Sequence, residues 1–504
     1  MISAYTGTQV REAEKPLLGA GGGAALMQRA AYGLANAVVR ELLSRGRRRY
    51  GASVTVLAGK GNNGGDGLFA AALLAGRGMR TTAVLTSEEA HAEGLAALEK
   101  VGGRAVRLTP GNFADLAAAA ARADVVLDAI LGTGARGGLR GPAAALVGEL
   151  ERLRPRLVIA CDVPSGVEAD TGEVHPPVLT ADLTVTFGAV KTGLLTDPGA
   201  DHAGTVRLIP IGIEPHLPEP DLRRLEADDL ARLLPHPRRR SHKYSRGVLG
   251  VVAGSDQYPG AAVLACRGAL ASGVGMVRYL GPPGVADLVR QACPEVVCAT
   301  GRPADTHVQA WLLGSGLDDG ASEQLERVRE AAATGLPLVA DAGALPVLPR
   351  NLAENTILTP HAGELASLLA RYGADAGRDG VEDAPLAAAR RAARLTGATV
   401  LLKGATTLVV APGGAVFSQA EATPWMATAG SGDVLAGVLG SLLAQLGTEE
   451  ESFAARGIPR GDRWAGIAAV AASLHGRAGQ RASGGGPVTA GAIAQALPEA
   501  MREM

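Results

Sequence analysis

The sequence predicts an α/β protein of two successive domains, each built from short parallel strands alternating with helices. Three observations predict it. Short apolar runs bounded by turn residues recur along the chain, spaced by helical patterns, as in parallel sheets with crossover helices. Glycine (69) and proline (29) are abundant without a collagen-like period, as many tight turns require. A Pro-rich, charged stretch near the middle interrupts the alternation, which then restarts. The length agrees: 504 residues correspond to about two to four domains.

Composition excludes several function classes. The net charge is -1, so there is no global basic field of the kind that nucleic-acid binding needs. Three Trp, seven Tyr and five Phe make a base-stacking surface hard to build. The four Cys (161, 266, 293 and 298) show neither C-x-x-C nor zinc spacing and read as reduced thiols. The Ala-rich run from Leu116 to Leu131 is broken by Arg122, Asp124 and Asp128, so it is no membrane span. The start of the chain lacks a signal-peptide pattern. A cytoplasmic protein with small-molecule partners, no nucleic acid and no membrane is the expectation. Ala-rich helices suit packing between copies, and a homo-oligomer is expected.

In the first half, strands are predicted at Ser53–Ala58, Thr81–Leu85, Ala123–Asp128, Leu157–Cys161, Leu183–Phe187 and Val206–Pro210, with helices at Ala24–Leu43, Gly67–Leu74 and Pro142–Leu153. Four strand ends carry loops with chemistry. Gly59 to Gly67 reads GKGNNGGDG, a Gly-rich turn whose amides can approach an anion at a helix start. Its spacing fits neither a dinucleotide fingerprint nor a Walker loop. Asn62, Asn63 and Asp66 add short oxygen donors suited to a hard cation or to ribose hydroxyls. DAILGTGARGG follows Asp128, CDVPSG holds Asp162 and Ser165, and FGAVKTG holds Lys191. In open parallel sheets ligands bind outside the carboxyl ends of strands, so together these loops predict an oxygen-rich site for a dinucleotide-like ligand. Asp162 before Pro-Ser-Gly also suits a plain helix cap.

These four strings resemble the NAD(P)H-hydrate epimerase family, over roughly residues 1–217. The resemblance implies a Rossmann-like three-layer αβα domain that interconverts the epimers of hydrated NADH and NADPH. It implies that Asn62, Asn63, Gly64, Gly65 and Asp66, with Gly132, Thr133, Gly134, Ala135, Arg136, Gly137 and Gly138, hold the hydrate. Asn63, Asp128 and Ser165 would ligate potassium. Asp162 would contact the ligand and act as acid/base. The chemistry suits it: the hydroxyl leaves a carbon beside a ring nitrogen, so inversion needs only proton delivery and removal. Lys191 would either hold phosphates or lower the pKa of Asp162.

Residues 218–240, rich in Pro and Arg, predict an extended linker. Beyond it, strands are predicted at Gly247–Ala253, Met276–Leu280, Val308–Leu313, Leu336–Ala340, Thr356–Leu358, Val400–Lys403 and Thr407–Val410. TPHAGE (Thr359 to Glu364) places His361 in a loop at a strand end. LLKGATT (Leu401 to Thr407) puts Lys403 in a turn, where a nucleotide phosphate or a carboxylate must partner it. ATAGSGDVLAG (Ala427 to Gly437) opens an apolar helix with Gly430, Gly432 and Asp433: an anion hole beside one carboxylate.

This second constellation resembles the ribokinase-like fold and, within it, the ADP-dependent NAD(P)H-hydrate dehydratases, over residues 241–504. It implies that Ala261, Gly316, His361 and Asp433 contact the hydrate. Lys403, Gly404, Ala405, Thr406, Thr407 and Gly432 would bind the nucleotide, and Asp433 would be the catalytic base. ADP is the implied co-substrate, converted to AMP and phosphate, with ATP as the other candidate and magnesium on the phosphates. Ala362, Thr406 and Ala429 depart from the family's usual Pro, Gly and Gly. The two halves together imply a bifunctional repair enzyme. A ribokinase-like small-molecule kinase fused to a noncatalytic binding domain satisfies the Gly-Ser-Gly-Asp string equally well.

Overall fold

The computed structural model describes residues 1–19, 21–455 and 457–504. The chain forms two compact units, one of residues Ser3–Asp221 and one of Met1–Ile2 with Leu222–Met504.

The first unit contains β1 (Ile2–Tyr5), β2 (Ser53–Ala58), β3 (Arg80–Leu85), β4 (Arg104–Arg107), β5 (Val125–Ala129), β6 (Val158–Cys161), β7 (Leu183–Phe187), β8 (Val190–Lys191) and β9 (Thr205–Ile209). Seven of them form a parallel sheet ordered β4-β3-β2-β5-β6-β7-β9. β5 and β7 are buried along their whole length, as central strands covered on both faces must be. Helices Gly23–Ser44 and Asn62–Gly76 pack Leu34, Val38, Leu68 and Leu74 on one face. Helices Phe113–Ala121 and Gly141–Leu153 put Ala117, Leu146 and Leu150 on the other. The order reverses between β2 and β5, so the ligand crevice of an open sheet lies at their carboxyl ends.

The second unit contains β10 (Leu222–Arg224), β11 (Val248–Val252), β12 (Met276–Leu280), β13 (Val297–Ala299), β14 (Ala310–Leu313), β15 (Leu338–Ala340), β16 (Thr356–Leu358), β17 (Thr399–Leu402), β18 (Thr407–Val410) and β19 (Val416–Gln419). Their order is β13-β12-β11-β14-β15-β16-β17-β18-β19-β10. The pairs β17–β18 and β18–β19 are antiparallel, joined by short turns. The order reverses between β11 and β14, which sets the second crevice. The helix Ser431–Leu446 is apolar nearly all round and buried accordingly.

The structure corrects the linker. Within residues 218–240, β10 pairs with β19 (Arg223 beside Phe417), and Ala227–Leu233 is a helix. A reciprocal Glu226–Asp229 capping box starts that helix, and Leu225, Leu230, Leu233 and Leu234 are buried in the second unit's core. The prolines lie beside these pieces rather than inside them, so composition masked a helical leucine spacing. The strands missed from sequence, β1, β4, β8, β10, β13 and β19, are short; β4 and β13 are also largely exposed. No helix among the described residues is long and apolar enough to cross a membrane.

Candidate functional sites

The Gly-rich nonapeptide is less a loop than its composition suggests: the helix after β2 starts at Asn62, so Asn62 to Gly67 are helical. Its glycines are demanded by close approach as well as by any anion. A Cβ on Gly59 would lie 2.0 Å from the Ile130 carbonyl oxygen, and one on Gly67 would lie 2.6 Å from Ala129 Cβ. Gly59→Ala is therefore expected to destabilise the first unit by about 1–3 kcal/mol, read as a lower denaturation midpoint.

Asp162 follows β6 in the left-handed region (φ 69°) and caps no helix, which disposes of the capping reading. Its Oδ2 accepts from the Thr133 N–H (3.1 Å) and from the Thr133 hydroxyl. Its Oδ1 accepts from Lys191 Nζ at 2.5 Å and from the Thr186 hydroxyl at 3.2 Å. Lys191 is 1% exposed, and its other protons go to the Thr186 hydroxyl (3.0 Å) and the Phe187 carbonyl (2.9 Å). With all three donors committed, Lys191 has none left for a phosphate, so of its two predicted roles the structure supports the electrostatic one. Burial alone would raise the pKa of Asp162, but Lys191 and Thr133 hold it below the ordinary carboxylate value.

Asp128, at the end of β5, is buried; it accepts from the Ser165 hydroxyl (2.6 Å) and the Ser165 N–H (2.8 Å). Asn63 donates Nδ2 to the Leu131 carbonyl (2.8 Å), while its Oδ1 is buried without a partner. Gly132 lies against the Asn63 side chain, at 2.9 Å from where its Cβ would stand. The Gly137 N–H donates to Glu168, and Gly134 and Arg136 are exposed. The structure thus gathers Asn63, Asp66, Asp128, Thr133, Asp162, Ser165 and Lys191 around one crevice.

Sequence reasoning missed the helix Gly7–Gly19 as a wall of this site. Arg11 donates to the Thr133 carbonyl (3.0 Å), and Asp170 accepts from the Gly7 N–H. Glu14 feels the charges of Lys191 and Asp162; burial chiefly raises its pKa. No local motif marks these residues, because only the tertiary fold brings the helix to the crevice.

In the second unit, Gly430 (φ 88°) caps the helix Ser431–Leu446, and Asp433 sits in its first turn. Burial, then the charge of Asp341, push the pKa of Asp433 up to about 7, against Lys403. Lys403 Nζ donates to Asp341 Oδ1 (2.9 Å), lies 3.6 Å from Glu364, and would be 3.7 Å from a Cβ on Gly432. Its partners here are therefore carboxylates, and burial is outweighed by Asp341 and Glu364, which raise its pKa. Asp341, which the sequence reading passed over, is the hub: it also accepts from the hydroxyls of Thr359 (2.8 Å) and Ser315 (2.9 Å).

Gly316 and Ala261 touch across the β11–β14 crevice, with 2.4 Å between an added Cβ and the Ala261 methyl. His361 is mostly exposed and caps the helix Ala362–Arg371, accepting from the Glu364 N–H (3.2 Å) in a capping box. Beside it opens a cavity of about 500 Å³ lined by Ala342, Leu345, His361, Glu364 and Arg371. Gly404 and Ala405 form the exposed β17–β18 turn, and Thr406 is buried behind it. Helix cap, lysine, hub carboxylate and high-pKa aspartate thus converge on one face.

Comparisons with known proteins match this division. Residues 23–193 match the family described as YjeF-related protein N-terminus, and residues 249–499 match NAD(P)H-hydrate dehydratase. The bifunctional NAD(P)H-hydrate repair enzyme Nnr of Mycobacterium tuberculosis is 41% identical, covering 87% of this chain and 89% of that protein. The enzyme of the same name from Moorella thermoacetica is 33% identical, over 90% of this chain and 88% of its own length. Among solved structures, a Bacillus subtilis ADP/ATP-dependent NAD(P)H-hydrate dehydratase co-crystallised with ATP/Mg2+ has a TM-score of 0.46 at 24% identity, covering 54% of this chain and 95% of that chain. With 41% identity along nearly the full length of both proteins and two sites of distinct chemistry in one chain, this protein belongs to the family of bifunctional NAD(P)H-hydrate repair enzymes.

Proposed function

We propose that the first crevice interconverts the epimers of hydrated NADH and NADPH, and that the second dehydrates one of them at the expense of ADP. The observation that carries this is the contrast between two aspartates. Asp162 is held ionised by a buried lysine, as a proton acceptor needs, while Asp433 is poised near neutrality at a helix start, as a base beside an anion hole needs.

At the first site, the ring hydroxyl departs with help from the nitrogen lone pair, and Asp162 handles a proton at the reacting oxygen. Thr133 and Lys191 fix its orientation and charge. Potassium suits these loops: Asn63 Oδ1 is a buried oxygen without a donor, and the same amide is tied through Leu131 to the Ser165 hydroxyl that pairs with Asp128. When bound, the ion would supply fixed positive charge toward a phosphate-bearing ligand. Replacing potassium by a bulky organic cation is expected to lower epimer exchange in wild type. Asn63→Ala is expected to be slow in both buffers.

At the second site, Asp433 takes the proton of the ring hydroxyl as its oxygen attacks the terminal phosphoryl group of ADP. AMP leaves, and the Gly430 and Gly432 amides and Lys403 meet the transferring charge, the Ser431 N–H being taken by the Thr428 carbonyl. The phosphate ester then eliminates, restoring the dihydropyridine. Lys403 exchanges its carboxylate partners in part for nucleotide phosphate, whose remaining charge magnesium would neutralise when bound. The product tests this: recovery of dihydronicotinamide absorbance with release of AMP and phosphate supports it. A stable phosphorylated compound supports the kinase alternative instead.

A further inference from the structure

Two carboxyl groups of the first site have no part in the scheme above. Asp66 lies early in the helix Asn62–Gly76, and its Oδ1 is buried without a hydrogen-bond partner. Glu14 faces the same space from the helix Gly7–Gly19. A buried carboxylate oxygen with no donor is costly, and the neutral carboxylic acid, with a proton to give, costs less. The strand order β2-β5-β6 puts the segments bearing Asp66 and Asp162 on either side of β5. Two strand spacings, about 10 Å, separate the strands that lead into these segments, and the Asp66 carboxyl group feels the charge of Asp162.

We propose that Asp66 is a second catalytic residue of the epimerase site, giving a proton to the ring hydroxyl that leaves one face while Asp162 takes a proton from the water that arrives at the other. The proposal rests on the epimerase reading. The carbon–oxygen bond breaks as the nitrogen lone pair forms a carbon–nitrogen double bond, and the hydroxyl leaves as water with the Asp66 proton. A second water adds to the opposite face, the electron pair returns to nitrogen, and the released proton goes to Asp162. Asp66 is then ionised and Asp162 protonated, which is the form that performs the reverse inversion. Each form of the enzyme therefore takes one epimer.

The surroundings agree. Burial, then the charges of Asp162 and Glu14, push the pKa of Asp66 well up, with Lys191 opposing. Asp162 goes the other way. Carboxyl groups pushed apart in this way mark an acid and a base. Cys161 on β6 also faces them, and its thiol is kept neutral by burial and by Asp66, Asp162 and Asp128. His91 stands against Gly65, one residue away, with Nδ1 accepting from the Gly94 N–H.

The test follows full-length Asp66→Asn in heavy-oxygen water with each purified epimer. Inversion is expected to fall about a hundredfold or more, while label still enters one epimer without inversion. Asp162→Asn should label the other epimer. The high-pH fall of kcat/KM expected of wild type should be absent from Asp66→Asn, and Asp66→Glu should recover inversion in part; a role in packing alone moves neither. Inversion by Asp66→Asn within about twofold of wild type overturns the proposal, as does a folded Asp66→Glu with no inversion. If wild type itself fails to interconvert the epimers, the epimerase reading falls and takes this proposal with it.

Discussion

Asp433→Asn is expected to stop dehydration while epimer exchange continues at the wild-type rate. A positioned general base contributes about 10²–10⁴-fold, and the amide can take no proton. The pH dependence follows from the same group. Its pKa is pushed up to about 7, chiefly by burial and then by Asp341. Below that value the carboxyl is protonated and the base is lost, so kcat should climb about tenfold per pH unit and level off above neutrality. Stability runs the opposite way. The folded pKa lies above the ordinary carboxylate value, so ionisation costs nothing below the unfolded pKa and weighs on the fold as pH rises through the folded one. Asp433→Asn should therefore melt higher than wild type at neutral pH, and by less at low pH. Unchanged dehydration in this variant assigns the base elsewhere.

Lys191→Met is expected to damage both the fold and the chemistry of the first unit. The Lys191–Asp162 pair is almost fully enclosed, with side chains 2% and 11% exposed. Removing one partner of such a pair leaves a buried charge uncompensated and costs about 3–5 kcal/mol. Asp162 then loses what holds its pKa down against burial, so epimer exchange falls with stability. The sign is fixed by the depressed folded pKa. The contribution of Asp162 is present above its unfolded value and is lost as pH falls through the folded one. The stability gap between wild type and Lys191→Met should thus be wide at neutral pH and close in acid. An equal gap at both ends would mean lost packing rather than lost charge.

Much of this was legible in the sequence. The strands Ser53–Ala58, Leu183–Phe187, Met276–Leu280, Thr356–Leu358 and Thr407–Val410 coincide with their predicted bounds, because buried parallel strands are continuous apolar runs. The site loops were legible because ligands gather at strand ends, and each motif sits at one. What was not legible is long-range. Asp341 serves Lys403 from 62 residues away, and Glu14 reaches the first crevice on a helix that no motif marks. The Leu222–Arg224 strand depends on an edge that β19 offers, and its flanking prolines argued the other way. Asn62 to Gly67 looked like a turn because glycine is a poor helix former; close approach of Gly64 to the Gly59 carbonyl and of Gly67 to Ala129 overrides that propensity.

The most direct test gives the whole chain an equal mixture of both hydrate epimers with ADP, magnesium and potassium, and follows dihydronicotinamide absorbance to its plateau. Two sites acting in series predict that wild type restores the entire pool. Asp162→Asn should stop near half and then creep only at the uncatalysed rate of epimer exchange. A wild-type plateau at half, or complete restoration at the same speed by Asp162→Asn, would contradict the account.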